Sequence, residues 1–496
     1  MLPLLSLLIP TALVAAHGHH GHGLDAQNAT ASALVYGFPL PLFAATAIDW
    51  ATTGGTTEWA NNHLSHADRI ATAEERTVVL PNVDTVYSVA TIDLTQKDVV
   101  AEMGYYDEGR TLVWTFYDMF SNAACAIGTV RNDTLGKYLI THRYANPGCD
   151  LTPSGEYAGT IYIPTAYALT LIRNEVNNQT DLDYVRSHVQ PTQTLTEIER
   201  AASSGEDCDD AAEPIANAPP LTEALLTDGI DANDKALAAL QLLARFAATN
   251  PPPLASEIPK VASMLTAAGI NTTTQSYTTP SSVNLTLAEG AAKATIAAVP
   301  TNPADWIRPN PDGSWVVPEP AVAGDFGSHY AERAYVGLTV YLELPESQAL
   351  YPSYRAPTAD TQLSFTSNNS YLVEFSGKPP ATGFWSLTVY DDEGFLVDNE
   401  MDRYSVSDRG NLTYPDGTRV YGGDDEKDGK FYVLLQATDA EAIAPEWESN
   451  WLPTPAGGIP FQFYLRFYGP DDAFLDGSYI YPIISLVDAN PPMPTD

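Results

Sequence analysis

The segment "LPNVDTVYSVATIDL", residues 80–94, decides how the N-terminal half of the chain is interpreted. It has the composition of a strand, but its first half is polar. Side chains alternate between the two faces of a strand, so Asn82 and Asp84 point together and Tyr87 points away. In one interpretation Pro81 begins a turn whose Asn or Asp side chain caps backbone N–H groups, while the tyrosine ring anchors in the core. In the other, Asp84 is a catalytic general base or metal ligand, assisted by Asn82 and Tyr87.

Short β-branched and aromatic runs continue on both sides of this segment. Those of the N-terminal half are "RTVVL", "TLVWTFY", "YLITHRY", "GTIYIP" and "ALTLIRN", separated by turn residues. Those of the C-terminal half are "AYVGLTVYLEL", "SYLVEFS", "FWSLTVYD", "KFYVLLQA" and "FQFYLRFY". Such spacing of strands and turns is typical of a β-sandwich or a β-barrel, so we predict a mainly β protein with two β-domains.

Helical patterns lie before and between the β-rich regions. Apolar spacing is helical from Ala29 to about Leu64, and three further amphipathic segments occur within residues 191–300. We therefore predict a helical insert between the β-domains. The predicted organisation is a signal peptide (1–16), a His/Gly-rich tail (17–28), an N-terminal domain (29–190), the helical insert (191–300), a Pro-rich bridge (301–324) and a C-terminal β-domain (325–496).

The N-terminus predicts secretion. Residues 1–16 are a short apolar run with Val14 and Ala16 at the small-residue positions of a signal-peptidase site. Seven N-glycosylation sequons support an extracellular glycoprotein: Asn28, Asn132, Asn178, Asn271, Asn284, Asn368 and Asn411. Of three cysteines, Cys125 and Cys149 lie in one β-rich region and are the expected disulfide. The acidic neighbours of Cys208 argue against a reactive thiolate there.

The charge of the chain excludes some classes of partner. The formal net charge is −38 at pH 7. Such an excess of negative charge repels nucleic-acid phosphates and anionic membrane surfaces. The expected partner is therefore a small molecule or a glycan.

Two groups of histidines suggest metal binding. If cleavage follows Ala16, the mature chain begins with His17 and carries His19 at its third position. A free amine with such a histidine chelates divalent Cu or Ni, and a histidine-rich tract also suits Zn. The alternative is a mobile tail that binds metal only opportunistically. His63 and His66, three residues apart in "NNHLSHADR", would share one face of a helix, as two metal ligands or as plain surface histidines.

The segment "PNVDTVYS" followed by "IDL" resembles the first of two paired domains of unknown function, numbered 1254 and 1214. The motifs "YGFPLPL", "NNHLSHADR" and "TFYDMFSNAACAIGT" match the 1254-type domain in order. The motifs "AYVGLTVY", "FWSLTVYDDEGFLVDN", "DRYSVSDR", "NWLPTPAG" and "FYLRFYGP" are similar to the 1214-type domain. The resemblance implies two jelly-roll-like β-sandwiches and frequent homo-oligomers. It implies no general activity.

Three further residues are candidates for substrate binding. Trp385 and Trp451 could stack on a ligand, although Trp451 could also pin its own loop. Arg466 lies among apolar residues and, if buried, would need a carboxylate such as Asp84 as its partner. The working hypothesis is a secreted hydrolase or lyase that acts on an extracellular small molecule or glycan through a pocket in or between the β-domains. The alternatives are a non-catalytic ligand- or carbohydrate-binding protein and a metal-binding surface protein.

Overall fold

The structure is a computed structural model. It describes residues 25–52, 58–76, 80–200, 214–311, 313–354, 363, 369–423, 427–440 and 442–495. The predicted signal peptide, the tail histidines His17 and His19, Cys208, Asn368 and the segment 77–79 of "RTVVL" lie outside these described residues.

The helices of the described residues are α1 (Ala26–Gly37), α2 (Pro39–Thr52), α3 (Gln179–Tyr184), α4 (Glu223–Thr227), α5 (Lys235–Phe246), α6 (Ile258–Ala267), α7 (Leu285–Ala298), α8 (Tyr330–Thr339) and α9 (Ala473–Asp476). The strands of the N-terminal half are β1 (Ser65–His66), β2 (Thr85–Asp93), β3 (Asp98–Met103), β4 (Leu112–Asp118), β5 (Ala123–Gly128), β6 (Gly136–His142), β7 (Gly148–Asp150), β8 (Tyr157–Ile163), β9 (Tyr167–Glu175) and β10 (Gln193–Ile198).

The remaining strands are β11 (Ile270–Asn271), β12 (Ser276–Tyr277), β13 (Trp306–Ile307), β14 (Trp315–Pro318), β15 (Ala349–Leu350), β16 (Ser353–Tyr354), β17 (Asn369–Phe375), β18 (Trp385–Asp391), β19 (Ser405–Ser407), β20 (Phe431–Ala437), β21 (Trp451–Thr454), β22 (Phe461–Tyr468) and β23 (Ile483–Asp488).

The N-terminal β-domain is a sandwich of two five-stranded sheets. The first sheet has the order β1-β2-β9-β4-β5 and the second the order β10-β3-β6-β8-β7. Their inner faces form a core around Trp114, Phe116 and Ile140, all of which are fully buried. The predicted disulfide is present and joins Cys125 of β5 to Cys149 of β7. It therefore links the two sheets at one edge of the sandwich.

A helical layer covers the outer face of the first sheet. Helices α1 and α2 pack against α5, α7 and α8, and α2 also contacts β2. Pro39 begins α2 directly after α1, because proline suits the first turn of a helix and stops the preceding one. The stretch Ala26–Thr52 is long and apolar enough to cross a membrane by length and composition, but 61% of its most apolar window is buried within the protein. That burial is what a core helix requires.

The C-terminal β-domain is a second sandwich. One four-stranded sheet has the order β15-β22-β18-β19, and the other has the order β21-β20-β17-β23. The core between them contains Trp385, Phe431 and Phe467. The expectation of a mainly β protein with two β-sandwiches and intervening helices is thus confirmed.

Three local predictions were wrong. The segment "AYVGLTVYLEL" was expected as a strand, but its first half belongs to helix α8. Its β-branched and aromatic residues favour a strand, whereas packing of Arg333, Ala334 and Gly337 on one buried face favours the helix. Residues 193–198 of the predicted helical insert form β10, which pairs with β3. The predicted Pro-rich bridge contains β13 and β14, which pair with each other.

Candidate functional site

A cleft of about 350 Å³ opens between the two β-domains. The N-terminal domain contributes residues 83–84, next to β2, and residues 176–178, after β9. The C-terminal domain contributes residues 403, 405–407 and 409–412, around β19, and residues 448–449. Two predicted glycosylation sites, Asn178 and Asn411, are among the lining residues, one from each domain. Clefts between domains are common places for small-molecule sites.

A buried ion pair crosses the cleft. The guanidinium Nη2 of Arg409 lies 2.6 Å from Oδ1 of Asp84, whose exposed fraction is only 3%. The hydroxyl of Ser405 donates to the same oxygen at 3.3 Å. Arg409 also donates from Nη1 to the carbonyl oxygen of Val176 at 3.0 Å, and its guanidinium stacks 4.1 Å from the ring centre of Phe384. One arginine side chain of the C-terminal domain therefore binds both a side chain and a backbone carbonyl group of the N-terminal domain.

Two more carboxylates surround the same guanidinium. Glu175 lies 3.9 Å from Nη1 and Asp408 lies 3.8 Å from Nε of Arg409. Burial raises the pKa of Asp408 to about 7, although Arg409 opposes this rise. Three carboxyl groups surround one guanidinium group in a poorly solvated region, so negative charge is in excess there. Protonation of Asp408 lowers this excess.

Asn82 forms the turn that the first interpretation of residues 80–94 predicted. Its Oδ1 accepts a hydrogen bond of 2.7 Å from the backbone N–H of Asp84, and its Nδ2 donates to the hydroxyl of Tyr468 at 3.0 Å. Tyr87 packs against the hydrophobic core of the helical layer and pairs in register with Arg173 of β9. The structure thus brings Asn82 next to Asp84 and places Tyr87 in a different environment.

Arg466 is buried, but the prediction that a carboxylate such as Asp84 would then be its partner was wrong. Its Nη2 donates to the hydroxyl of Tyr390 at 2.7 Å and its Nη1 to the hydroxyl of Thr388 at 3.0 Å. Asp84 forms its ion pair with Arg409 instead. The hydroxyl of Tyr390 in turn donates to the carbonyl oxygen of Pro81 at 2.7 Å. Arg466 therefore positions the tyrosine that supports the turn before β2.

The two tryptophans occupy structural positions. Trp385 is 1% exposed, its ring packs against Phe375 and Phe431, and its indole N–H donates to the hydroxyl of Tyr421. A residue enclosed in this way does not present a stacking surface, so the ligand-binding role predicted for Trp385 was wrong. Trp451 is half-buried, and its indole N–H donates to the carbonyl oxygen of Gln436 at 3.3 Å. This contact agrees with the alternative in which Trp451 pins its loop.

The histidine pair does not lie on a helix. His63 is in an irregular segment and His66 is in β1, where its Nδ1 lies 2.7 Å from the hydroxyl of Ser88. Burial, and secondarily His63, lower the pKa of His66. Within the described ranges, no group of three or more His, Cys, Asp or Glu residues is arranged to hold a metal ion. Asp84, the expected third ligand, is engaged by Arg409.

Sequence analysis did not identify Arg409, Glu175 or Asp408 as functional candidates. The feature of the sequence that could have pointed to Arg409 and Asp408 is the charged pair in "SVSDRG", directly after a short strand and before a glycine. Glu175 ends the apolar strand β9, where a charged residue marks the strand end. Nothing in one sequence shows that these two strand ends meet.

Comparison with known proteins assigns the two β-domains to families. The family described as "Protein of unknown function (DUF1254)" matches residues 61–196, and "Protein of unknown function (DUF1214)" matches residues 348–472. These two regions correspond to the two sandwiches, and helices α4–α8 lie between them. The chain therefore contains both domains, in the order that the motifs predicted.

One solved structure, from Vibrio parahaemolyticus, supports the fold alone. The crystal structure of the VPA0106 protein from Vibrio parahaemolyticus is similar, with a TM-score of 0.60, 15% identity and coverage of 92% of this chain and 99% of that chain. An uncharacterised protein from Burkholderia cenocepacia has a TM-score of 0.40 at 11% identity, covering 92% of this chain and 89% of that chain. None of the curated proteins matches the chain.

Replacing Asp84 by Asn should destabilise the protein strongly. The change leaves the buried Arg409 guanidinium without its closest counter-charge, which typically costs about 3–5 kcal/mol. The matched control is Glu393→Gln, because Glu393 forms an ion pair of the same 2.6 Å length with Arg76, but on the surface. That pair should contribute below about 1 kcal/mol. Urea unfolding measures both, and equal small losses would contradict a structural role for the buried pair.

Replacing Asp408 by Asn should change how stability depends on pH. The folded-state pKa of about 7 exceeds the usual value for an aspartate, so the folded protein retains a proton that the unfolded chain releases. The contribution of this proton to the free energy of unfolding is fully present below about pH 4 and is lost as the pH rises through about 7. Because a shift of about three pKa units corresponds to about 4 kcal/mol, the free energy of unfolding of the variant should gain about 4 kcal/mol relative to that of the native chain between pH 4 and pH 8.

The measurement is urea unfolding of both proteins at the two pH values, with the exposed Asp398→Asn as the control. A difference between native protein and Asp408→Asn that is the same at pH 4 and pH 8 would contradict a shifted Asp408.

Proposed function

We propose that this chain, whose residues 61–196 match the DUF1254 model and whose residues 348–472 match the DUF1214 model, binds a small polar extracellular molecule in the cleft between these domains. The observation that supports the proposal most directly is the cleft itself. Its volume of about 350 Å³ falls within the range of small-molecule sites, and both domains line it.

The composition of the lining indicates the kind of ligand. Charges of both signs are present, since Asp84 and Arg409 lie at one wall and Arg403 and Glu448 at another. Ser405, Ser407 and Ser449 add hydroxyl groups. None of the described lining residues is aromatic, so stacking on a sugar ring would have no partner here. The cleft thus favours a compact ligand with several hydrogen-bonding groups over an extended glycan.

A hydrolase or lyase activity is the second candidate, and one observation favours it. A general acid or base works best with a pKa near the operating pH, and burial raises the pKa of Asp408 to about 7. Asp408 contacts Arg409, which lines the cleft beside Asp84. In this alternative the Asp84–Arg409 pair positions the substrate, and Asp408, which does not itself line the cleft, changes the charge beside that pair when it gains or loses its proton.

Blocking the cleft should abolish ligand binding without unfolding the protein. Saturation-transfer NMR would be recorded with mixtures of amino acids, hydroxy acids and monosaccharides to find a ligand of the native protein. Ser449→Trp places a bulky side chain in the cleft lining and should reduce the affinity at least about tenfold, an effect of about 1.4 kcal/mol. The control Ser478→Trp changes an exposed residue that does not line the cleft, so it should bind normally.

A ligand whose signals persist in Ser449→Trp would place its site elsewhere and contradict the proposal. Turnover of a bound compound that Asp408→Asn removes, while binding is retained, would favour the enzyme. Retained binding with no turnover by either protein would favour the binding protein.

Secretion is part of the proposal. The six sequon asparagines within the described residues, Asn28, Asn132, Asn178, Asn271, Asn284 and Asn411, are all exposed, as an attached glycan requires.

Expression of the full chain in a eukaryotic host should deliver protein to the medium that begins at His17 and loses mass on endoglycosidase treatment. Retention inside the cell, or an intact N-terminus, would contradict secretion. Elemental mass spectrometry of the same preparation, compared with a variant lacking residues 17–22, would test the metal-binding alternative for His17 and His19.

A further inference from the structure

A second cavity lies where helix α8 of the helical layer meets the β13–β14 hairpin and β22 of the C-terminal domain. Its volume is about 100 Å³, enough for a molecule of a few non-hydrogen atoms or for several waters. Four half-buried aromatic side chains line it: Trp306, Tyr335, Tyr351 and Tyr464. Trp306 and Tyr335 meet edge to face, with their ring centres 6.3 Å apart. Aromatic rings therefore form part of the walls, and aliphatic side chains of valine and proline form another part.

The charged groups of the cavity are all acidic. Asp305, Glu332 and Glu343 line it, and no lysine or arginine does so among the described residues. Asp305 accepts a hydrogen bond of 2.8 Å from Asn302. Glu332 lies 4.0 Å from His329, which is half-exposed at the side of the helix. These two acids have partners of their own.

Glu343 is different. It is 8% exposed, and the hydrogen bond to its carboxyl group within the described residues comes from the backbone N–H of Gly324 to Oε2, at 3.1 Å. No basic side chain forms an ion pair with it in the described part of the chain. Burial raises its pKa to about 8, because the charged form lacks solvation there. Buried polar groups are normally hydrogen-bonded, because burial without a partner costs free energy. A carboxyl group in a cavity wall that can accept further hydrogen bonds is therefore a candidate to bind a ligand.

We propose that this cavity binds a small organic cation of the ammonium or methylated-amine class, with Glu343 as its counter-charge and Tyr335, Tyr464 and Trp306 as its π-walls. The faces of aromatic rings attract cations, and quaternary ammonium groups are bound in such aromatic cages. A metal ion fits less well, since hard cations require six or more oxygen ligands and, within the described residues, no group of three or more His, Cys, Asp or Glu is arranged to hold one. The site is distinct from the inter-domain cleft, so this inference does not depend on the function proposed for that cleft.

The test uses isothermal titration calorimetry of the full chain with tetramethylammonium and methylammonium at pH 9, above the Glu343 pKa of about 8, so that the carboxyl group is charged before the cation is added. The net charge of −38 attracts any cation weakly, so ionic strength is held constant with sodium chloride throughout. The neutral comparison is tert-butanol, which is similar in size to tetramethylammonium. We expect saturable binding of one of the two cations with a dissociation constant near or below about 1 mM, and at least about tenfold weaker binding of tert-butanol.

Three variants identify the groups responsible. Glu343→Gln keeps the shape and the acceptor for Gly324 but removes the charge, and it should weaken cation binding at least about tenfold. Tyr335→Leu removes a π-face and should weaken it about fivefold, whereas Tyr335→Phe keeps the ring and should bind within about twofold of the native protein. Thermal melting of each variant confirms that it is folded before titration.

Three results would overturn the proposal. The first is the absence of saturation by either ammonium ion. The second is equal binding of tert-butanol, which would make the cavity merely apolar. The third is unchanged cation affinity in Glu343→Gln, which would assign the observed binding to the general negative charge of the surface.

Discussion

The ion pair between Asp84 and Arg409 is the interaction on which the arrangement of the two β-domains depends. It is short, nearly excluded from water, and contributed by one residue from each domain. A buried charge cannot lose its partner without a large cost, so any movement that separates these side chains is opposed. The same contact forms one wall of the inter-domain cleft. Domain arrangement and the shape of the candidate site thus both depend on this pair of residues.

The segment that first suggested a site proved to be both a turn and part of the cleft. Asn82 caps the backbone of Asp84, as the turn interpretation predicted, while the carboxylate of Asp84 lines the cleft. The two interpretations of residues 80–94 therefore describe different atoms of the same segment. Local sequence identified the turn because its hydrogen bonds connect residues two positions apart. It could not identify Arg409, which lies 325 residues away along the chain.

The difference between contacts of residues near in sequence and contacts of residues far apart also explains the other predictions from the sequence. Strands such as β18 and β22 were predicted well, because their apolar residues alternate along the sequence as side chains alternate between the two faces of a sheet. Helix α8 was missed, because its buried face is formed by Arg333, Ala334 and Gly337, and two of these are not hydrophobic in the usual sense. Arg333 is accommodated by the rings of Tyr36, Phe120 and Tyr330 and by a hydrogen bond to the carbonyl oxygen of Tyr36. Only the folded protein brings those groups together.

The turn at Pro81 and Asn82 is held by hydroxyl groups of Tyr390 and Tyr468, which belong to strands of the other domain. A loop of the N-terminal sandwich thus acquires its shape from the C-terminal sandwich. Domains that merely touch can unfold one after the other, whereas domains that complete each other's backbone geometry lose stability together. The two halves of this chain are in that sense a single cooperative unit, and neither sandwich alone would retain the geometry of the cleft. The pairing of the two domains in one polypeptide then has a physical reason: each is the scaffold for the other's loops.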